Sequence, residues 1–312
     1  MTDKTVTGVA AAIAAAQVPR LGALTLDHIA HFVPDRHSAG EALERLGFTL
    51  TPFSEQSHRL DADGPLVPAG TGNRCVMLER GYLEFLTAFG ESIVADQLRA
   101  AMRRYVGVHL IAFGTSAAEA DYARLEREGF SPLYPVALQR PIGTEHGEET
   151  ARFTVVRVPP QSMPEGRIQY CRQETSEFVW QARWLAHANG AVELASVVLC
   201  VADPDEAAAR YGRYTGLTPA GDGPWRMLAT SRGTLAFGTA ETLERELGLR
   251  APALPWMAAY TLHVRDLAQT RDYLREAGAA ARDLDADRCL VELPAALGGA
   301  VIFAARRAGT LQ

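Results

Sequence analysis

The sequence is short of most features that would assign it at once, and each shortage narrows the field. Only 4 of its 312 residues are cysteine (Cys75, Cys171, Cys200 and Cys289), and no two form a Cys-x-x-Cys pair. A zinc knuckle and a dense disulfide framework are thereby excluded, and a reducing, cytoplasmic setting is expected. No apolar run approaches the ~18 residues of a membrane span. Basic residues are not in excess: Lys+Arg 31 against Asp+Glu 37 leave a formal charge of -6, which disfavours nucleic acid and anionic membranes as partners. Gly70-Thr-Gly-Asn73 lacks the Lys-Ser/Thr ending of a phosphate loop, and there is no Gly-x-Ser-x-Gly elbow. With 47% hydrophobic and 22% charged residues, the chain can bury a core without disulfides or metal. A small molecule is the expected partner, with a homodimer as the candidate assembly. Residues 1–22, which include the short Ala-rich run from Val9 to Ala16, read as a leader rather than a signal peptide.

What is present is a repeat. Leu26-Asp-His28-Ile-Ala-His-Phe-Val33 has the pattern of a strand, breaks at Pro34-Asp35-Arg36, and gives way to a helical pattern that stops at Gly47-Phe48. Val108-His109-Leu-Ile-Ala-Phe-Gly114 opens a second copy, which stops at Gly129-Phe130; further copies open at Ala195-Ser196 and at Ala259-Tyr260. Each copy closes on a glycine followed four residues later by an aromatic: Gly81 with Phe85, Gly166 with Tyr170, Gly233 with Phe237, and Gly299 with Phe303. Intervening segments such as Asn73–Leu78 and Arg152–Val158 leave room for further strands, so each unit reads β-α-β-β-β. A helical pattern around Val94–Arg104 bridges the first two units. The stretch from Thr175 to Gly190, with Trp180, Trp184 and an Asn189-Gly190 turn, separates two halves.

Four such units resemble the vicinal oxygen chelate superfamily, and specifically its glyoxalase-like members. The resemblance is carried by Leu26-Asp-His28-Ile with Val33-Pro-Asp35, by Gly81-Tyr-Leu-Glu84-Phe-Leu86, by Gly70-Thr-Gly-Asn-Arg74 and by the segment from Trp180 to Gly190. It implies an α+β fold in which the four β-α-β-β-β units pair into two cupped mixed sheets. The expected division is a leader over 1–22, an N-terminal glyoxalase-like half over 23–175, a linker over 176–191 and a C-terminal half of two degenerate units over 192–308.

Laying the repeats over one another sets His28, His109, Ser196 and Ala259 as equivalent first-strand positions, and Glu84, Gln169, Ala236 and Ile302 as equivalent last-strand positions. The ligand-type members all fall in the N-terminal half. The resemblance implies that His28, Glu84, His109 and Gln169 converge on one divalent metal (Zn, Ni, Co, Mn or Fe) inside a cup. Two imidazoles and a carboxylate suit such ions, whereas the amide of Gln169 is the weak donor. Glu84 and Gln169 are also the candidate catalytic residues. An amide cannot serve as a base near neutral pH, so ordinary glyoxalase I isomerisation would fall to Glu84. Arg74 is the candidate substrate anchor. His31, by strand alternation, faces away from His28. His58 and His146 fall in polar segments, Ser54–Ala69 and Pro141–Glu149, long enough to act as lids, and His187 belongs to packing between the halves. The function these residues imply is a metal-dependent isomerase, lyase or epimerase with the ion as Lewis acid. An Fe(II) extradiol-type dioxygenase and a metal-free small-molecule binder are the alternatives.

Overall fold

In the computed structural model the described residues are 11–59 and 66–306, so residues 1–10 of the leader, 60–65 and 307–312 lie outside them. Residues 11–15 are helical. The first unit runs β1 (Thr25–Phe32), α1 (Arg36–Arg45), β2 (Ser54–Arg59), β3 (Leu66–Met77) and β4 (Tyr82–Ala88). After the bridging helix α2 (Ile93–Met102), the second runs β5 (Gly107–Gly114), α3 (Ala118–Arg127), β6 (Leu133–Thr144), β7 (Gly147–Arg157) and β8 (Arg167–Gln173). The third has β9 (Ala191–Cys200), α4 (Pro204–Thr215), β10 (Ala220–Asp222), β11 (Trp225–Ala229) and β12 (Thr234–Gly238), followed by α5 (Ala240–Leu247). The fourth has β13 (Trp256–Val264), α6 (Leu267–Glu276), β14 (Ala281–Asp285), β15 (Arg288–Glu292) and β16 (Ala300–Ala305). The β-α-β-β-β reading therefore holds in all four copies.

The local causes repeat as well. Every residue of β1 and of β5 is buried, as expected of central strands covered on both faces. In three of the four units an acidic residue after the break caps the helix: Asp35 accepts from the Ser38 amide, Asp203 from those of Asp205 and Glu206, and Asp266 from those of Ala268 and Gln269, whereas α3 has Ala117 at its N-cap position and no side-chain cap. Within each unit the first and last strands lie side by side in parallel. Between units, β1 pairs antiparallel with β5 just as β9 pairs with β13. The two cups join into one mixed sheet through the bridge between Met257 and Val108.

Bulges set the register. In β1 the ladder shifts between Leu26 and His28, leaving Asp27 as the extra residue, and opposite Ala30/His31 it leaves out His109 of β5. In the C-terminal half two of the three shifts leave out Ala195 and Ala258 in the same way, and the third leaves out Val192. A bulge adds one residue to one strand and re-aims its side chain. The closing glycines sit against these points: a Cβ on Gly81 would stand 2.8 Å from the Asp27 carbonyl oxygen, one on Gly166 2.4 Å from that of His109, and one on Gly299 2.9 Å from that of Ala258. Only a residue without a Cβ permits that approach, which is why the glycine recurs.

The segment between the halves is built into the N-terminal cup. Trp180 is 1% exposed, donates its indole N–H to the Leu78 carbonyl at 3.0 Å, and packs edge-on to Tyr82. Asn189 Nδ2 donates to Leu46 O, and the Thr270 hydroxyl of the C-terminal half donates to Asn189 O.

Candidate active site

A cavity of about 220 Å³ occupies the N-terminal cup. Its floor is apolar, with Leu86, Leu98, Leu110 and Val155 among its lining, while His28, Glu84, Gln169 and three arginines supply its polarity. By strand alternation, Asn73, Cys75 and Met77 of β3 face the cavity, and Arg74 and Val76 face away.

His28 is fixed from behind. Its Nδ1 lies 2.6 Å from Oδ2 of Asp27, which is fully buried and also accepts from Gln173 Nε2 at 3.0 Å. Neighbours on a regular strand point to opposite faces, so this contact exists because Asp27 is the bulge residue. The ring stacks on Tyr82 with centroids 4.3 Å apart. With Nδ1–H directed at a carboxylate, Nε2 is the nitrogen left to accept a proton, and it has no hydrogen-bond partner among the described residues.

Glu84 is held at Oε1 by Asn73 Nδ2 at 2.5 Å and by Gln56 Nε2 at 3.4 Å. Gln169 Oε1 is buried with no partner. Arg140, Arg157 and Arg167 line the same space, and no ion pair reaches any of them among the described residues. Burial lowers the Arg157 guanidinium below its usual range, and it brings Arg167 down to about 10 with the Arg157 charge as the second cause. Sequence reasoning missed these arginines, although alternation along Arg167-Ile-Gln169 puts Arg167 on the face of Gln169.

His109 is not brought together with His28. In β5 it is Leu110 that pairs with Arg167 as His28 pairs with Tyr82, and Ala112 that pairs with Gln169 as Ala30 pairs with Glu84. The counterpart of His28 is therefore Leu110, and His109 is the counterpart of Asp27: the bulge displaces the repeat alignment by one residue. The imidazole of His109 lies outside the cavity lining, with Nε2 at 2.8 Å from Tyr105 O and its ring stacked on Tyr105 at 4.1 Å. Burial lowers its pKa to about 4.

Arg74 is also placed elsewhere. Facing away from the cavity, it donates to Thr51 O at 3.0 Å and lies 3.5 Å from Glu44 of α1. His31 turns to the opposite face from His28 as alternation requires, stacked on Phe85 with Nδ1 at 2.9 Å from Leu297 O. His187 accepts from the Thr49 amide and has Nε2 at 2.8 Å from Met77 O, a packing role. His146 is exposed at the turn between β6 and β7, and none of Pro141–Glu149 lines the cavity, whereas Gln56, Ser57 and Ala69 of the other lid candidate do. His58 lies in β2 and its side chain is outside what is described. In the C-terminal half Ala236, Ala259 and Ile302 fall in one apolar cluster with Tyr105 and Trp256.

The four-donor metal set is not reproduced. Leu110 stands in its second histidine position, and among the described residues no group of three or more His, Cys, Asp or Glu is placed to hold an ion. Three guanidiniums on the same walls oppose a dication through their charge.

Residues 26–215 match the family described as "Glyoxalase-like domain". The chain belongs to this family. The glyoxalase-like fold extends over both halves: a hypothetical protein from Staphylococcus aureus is 10% identical with a TM-score of 0.61, over 91% of this chain and 100% of that one. A variant of 4-hydroxymandelate synthase from Streptomyces coelicolor is 14% identical with a TM-score of 0.51, over 92% and 95% of the two chains. A fusion of a xylose isomerase-like TIM barrel with 4-hydroxyphenylpyruvate dioxygenase is 13% identical with a TM-score of 0.54, over 93% of this glyoxalase-like chain and 51% of that one. At these identities the likeness is one of fold alone. No curated protein matches the sequence. No helix among the described residues is long and apolar enough to cross a membrane.

Proposed function

We propose that the N-terminal cup is the active site of a glyoxalase-like enzyme that moves a proton on a small oxygen-bearing substrate, as an isomerase, lyase or epimerase does. The observation that carries this reading is the Asp27–His28 pair, in which a buried carboxylate orients an imidazole whose other nitrogen meets the cavity. In the proposed step His28 Nε2 takes a proton from the carbon or hydroxyl next to a substrate carbonyl, and Asp27 stabilises the imidazolium that forms. Gln173 keeps the Asp27 carboxylate in place. Glu84, held by Asn73, is the second proton carrier. The apolar floor excludes water and strengthens these electrostatic effects. In this reading 23–175 carries the chemistry and 192–308 supports it.

The test is solvent exchange. Small 2-hydroxy, 2-oxo and 1,2-dicarbonyl compounds that shift the melting temperature of the full chain are incubated with it in D2O and followed by proton NMR. Deuterium should enter the carbon next to the carbonyl, and His28→Ala should abolish this. Ligands that bind but never exchange would favour a binding or sequestering protein instead.

A second reading, metal dependence, is favoured by one observation, the unpartnered Oε1 of Gln169 beside His28 and Glu84 in the cavity lining. Metal analysis of untagged protein, with Gln169→Leu as the control, separates the two: one equivalent of metal lost on that substitution would support a Lewis-acid role.

A further inference from the structure

Charge around the cavity is out of balance in a way that proton transfer alone does not explain. Arg140 on β6, Arg157 on β7 and Arg167 on β8 face it, against one lining carboxylate, Glu84, which is already engaged by Asn73. Cross-strand pairing puts Arg157 opposite Gln169, and Arg167 lies two residues from Gln169 on the same face, so the two guanidiniums are diagonal neighbours. Arg157 Nε is buried without a partner. Arg167 has a single long contact, Nη2 to Gln97 Oε1 at 3.4 Å, and its guanidinium lies 5.9 Å from the Phe32 ring. Two other arginines half sunk in this protein are paired, Arg210 with both oxygens of Glu165 and Arg124 with Asp121, whereas Arg232 donates to the Ala16 carbonyl and to no carboxylate among the described residues. Two neighbouring guanidiniums withdrawn from water without a carboxylate repel each other and lose hydration, and an oxyanion received by both removes each cost.

We propose that the substrate of the cup is an organic oxyanion whose carboxylate or phosphate headgroup is received by Arg157 and Arg167, with an apolar body lying on Leu86, Leu98 and Leu110. Its location at the active site rests on the proton-transfer reading above; the anion site itself does not. The headgroup would sit beside Gln169, so the carbon next to it comes within the space that His28 and Glu84 line. The arginines thus set specificity and orientation, and His28 performs the chemistry.

The experiment is calorimetric binding of phenylacetate, phenyl phosphate and the neutral analogue phenylacetamide to the full chain at matched ionic strength. Both anions should bind at least about tenfold more tightly than the amide, as expected for a charge-assisted bidentate contact. Whichever anion binds more tightly identifies the headgroup. Arg157→Gln and Arg167→Gln should each weaken the anions about tenfold and leave the amide unchanged, while Arg74→Gln, outside the cavity, should alter nothing. As a check independent of affinity, each cavity substitution should raise the melting temperature of the ligand-free protein and shrink the rise that phenylacetate produces. Equal affinity for phenylacetamide and phenylacetate, or anion binding untouched in the Arg157→Gln/Arg167→Gln double variant, overturns the proposal. Anion binding without His28-dependent exchange would leave it standing and remove the proton-transfer reading, and exchange on neutral ligands alone would do the reverse.

Discussion

Leu110 is the counterpart of His28 across the antiparallel pairing of β1 with β5, which places Ile29 directly opposite Ile111. One imidazole and one isobutyl group therefore occupy the two places where symmetric units would present the same side chain. Leu110→His should add the missing nitrogen to His28, Glu84 and Gln169 and raise Zn²⁺ or Ni²⁺ affinity at least about tenfold over wild type. His109→Ala should leave metal affinity as it was. Titration calorimetry of both variants decides: loss of binding in His109→Ala would restore that residue to the site and discredit the bulge-shifted register.

Asp27→Asn replaces the carboxylate that orients His28 with a neutral amide of nearly the same shape. The imidazole then loses both the preference for a proton on Nδ1 and the stabilisation of its protonated form. Exchange in D2O should slow by roughly 10²- to 10⁴-fold with little change in melting temperature. Nitrogen NMR of labelled histidine supplies a readout that needs no substrate, since the Nδ1-protonated tautomer of His28 should give way to a mixture. An unchanged His28 spectrum would show that Asp27 does not govern it.

Gly81 has φ of +79°, and its missing Cβ leaves room for the Asp27 carbonyl. Gly81→Ala should cost about 1–3 kcal/mol in denaturant unfolding, since it combines a left-handed backbone with a clash against main chain that cannot rotate away. It should also disturb the bulge and with it His28, so exchange should fall further than the loss of folded protein explains. A variant with wild-type stability would mean that the closing glycine is dispensable.

The repeat is legible in the sequence because strand and helix patterns, breaks and closing glycines are all one-dimensional features. Lining up Leu26-Asp-His28 with Val108-His109 places the units correctly and one residue wrongly. A bulge adds a residue without altering hydropathy, so the two histidines look equivalent until Leu110 is seen to pair with Arg167. His28, Glu84 and Gln169 can be found because they stand at unit ends. Arg140 and Arg157 cannot, because they come from the variable middle strands, where facing direction depends on a register that sequence does not write. Asp27 reads as an ordinary neighbour of His28, and regular strand geometry would keep the two side chains apart.

Buried imidazoles outside the cavity make the fold sensitive to acid, His31 and His109 most strongly. His31 is buried at the junction of the halves; desolvation, opposed by its bond to Leu297 and reinforced by the His109 charge, lowers its pKa from 6.5 to about 4. His109 falls to about 4 for the same principal reason. Between those values the unfolded chain binds protons that the folded chain refuses, so stability must rise with pH across that window and fall as the solution is acidified. Each group should remove about 2 kcal/mol between pH 7 and pH 5, since a proton bound only by the unfolded chain costs the fold about 1.4 kcal/mol for every pH step of one. Urea unfolding at the two pH values should show this loss in wild type. In His31→Gln and His109→Gln, each of which removes one titrating ring, the pH difference should shrink by one group's share whatever the absolute stability of the variant. If both variants keep the wild-type difference between pH 7 and pH 5, these imidazoles are not the source of the acid sensitivity, and it lies with His187, whose pKa burial also lowers, or with the carboxylates.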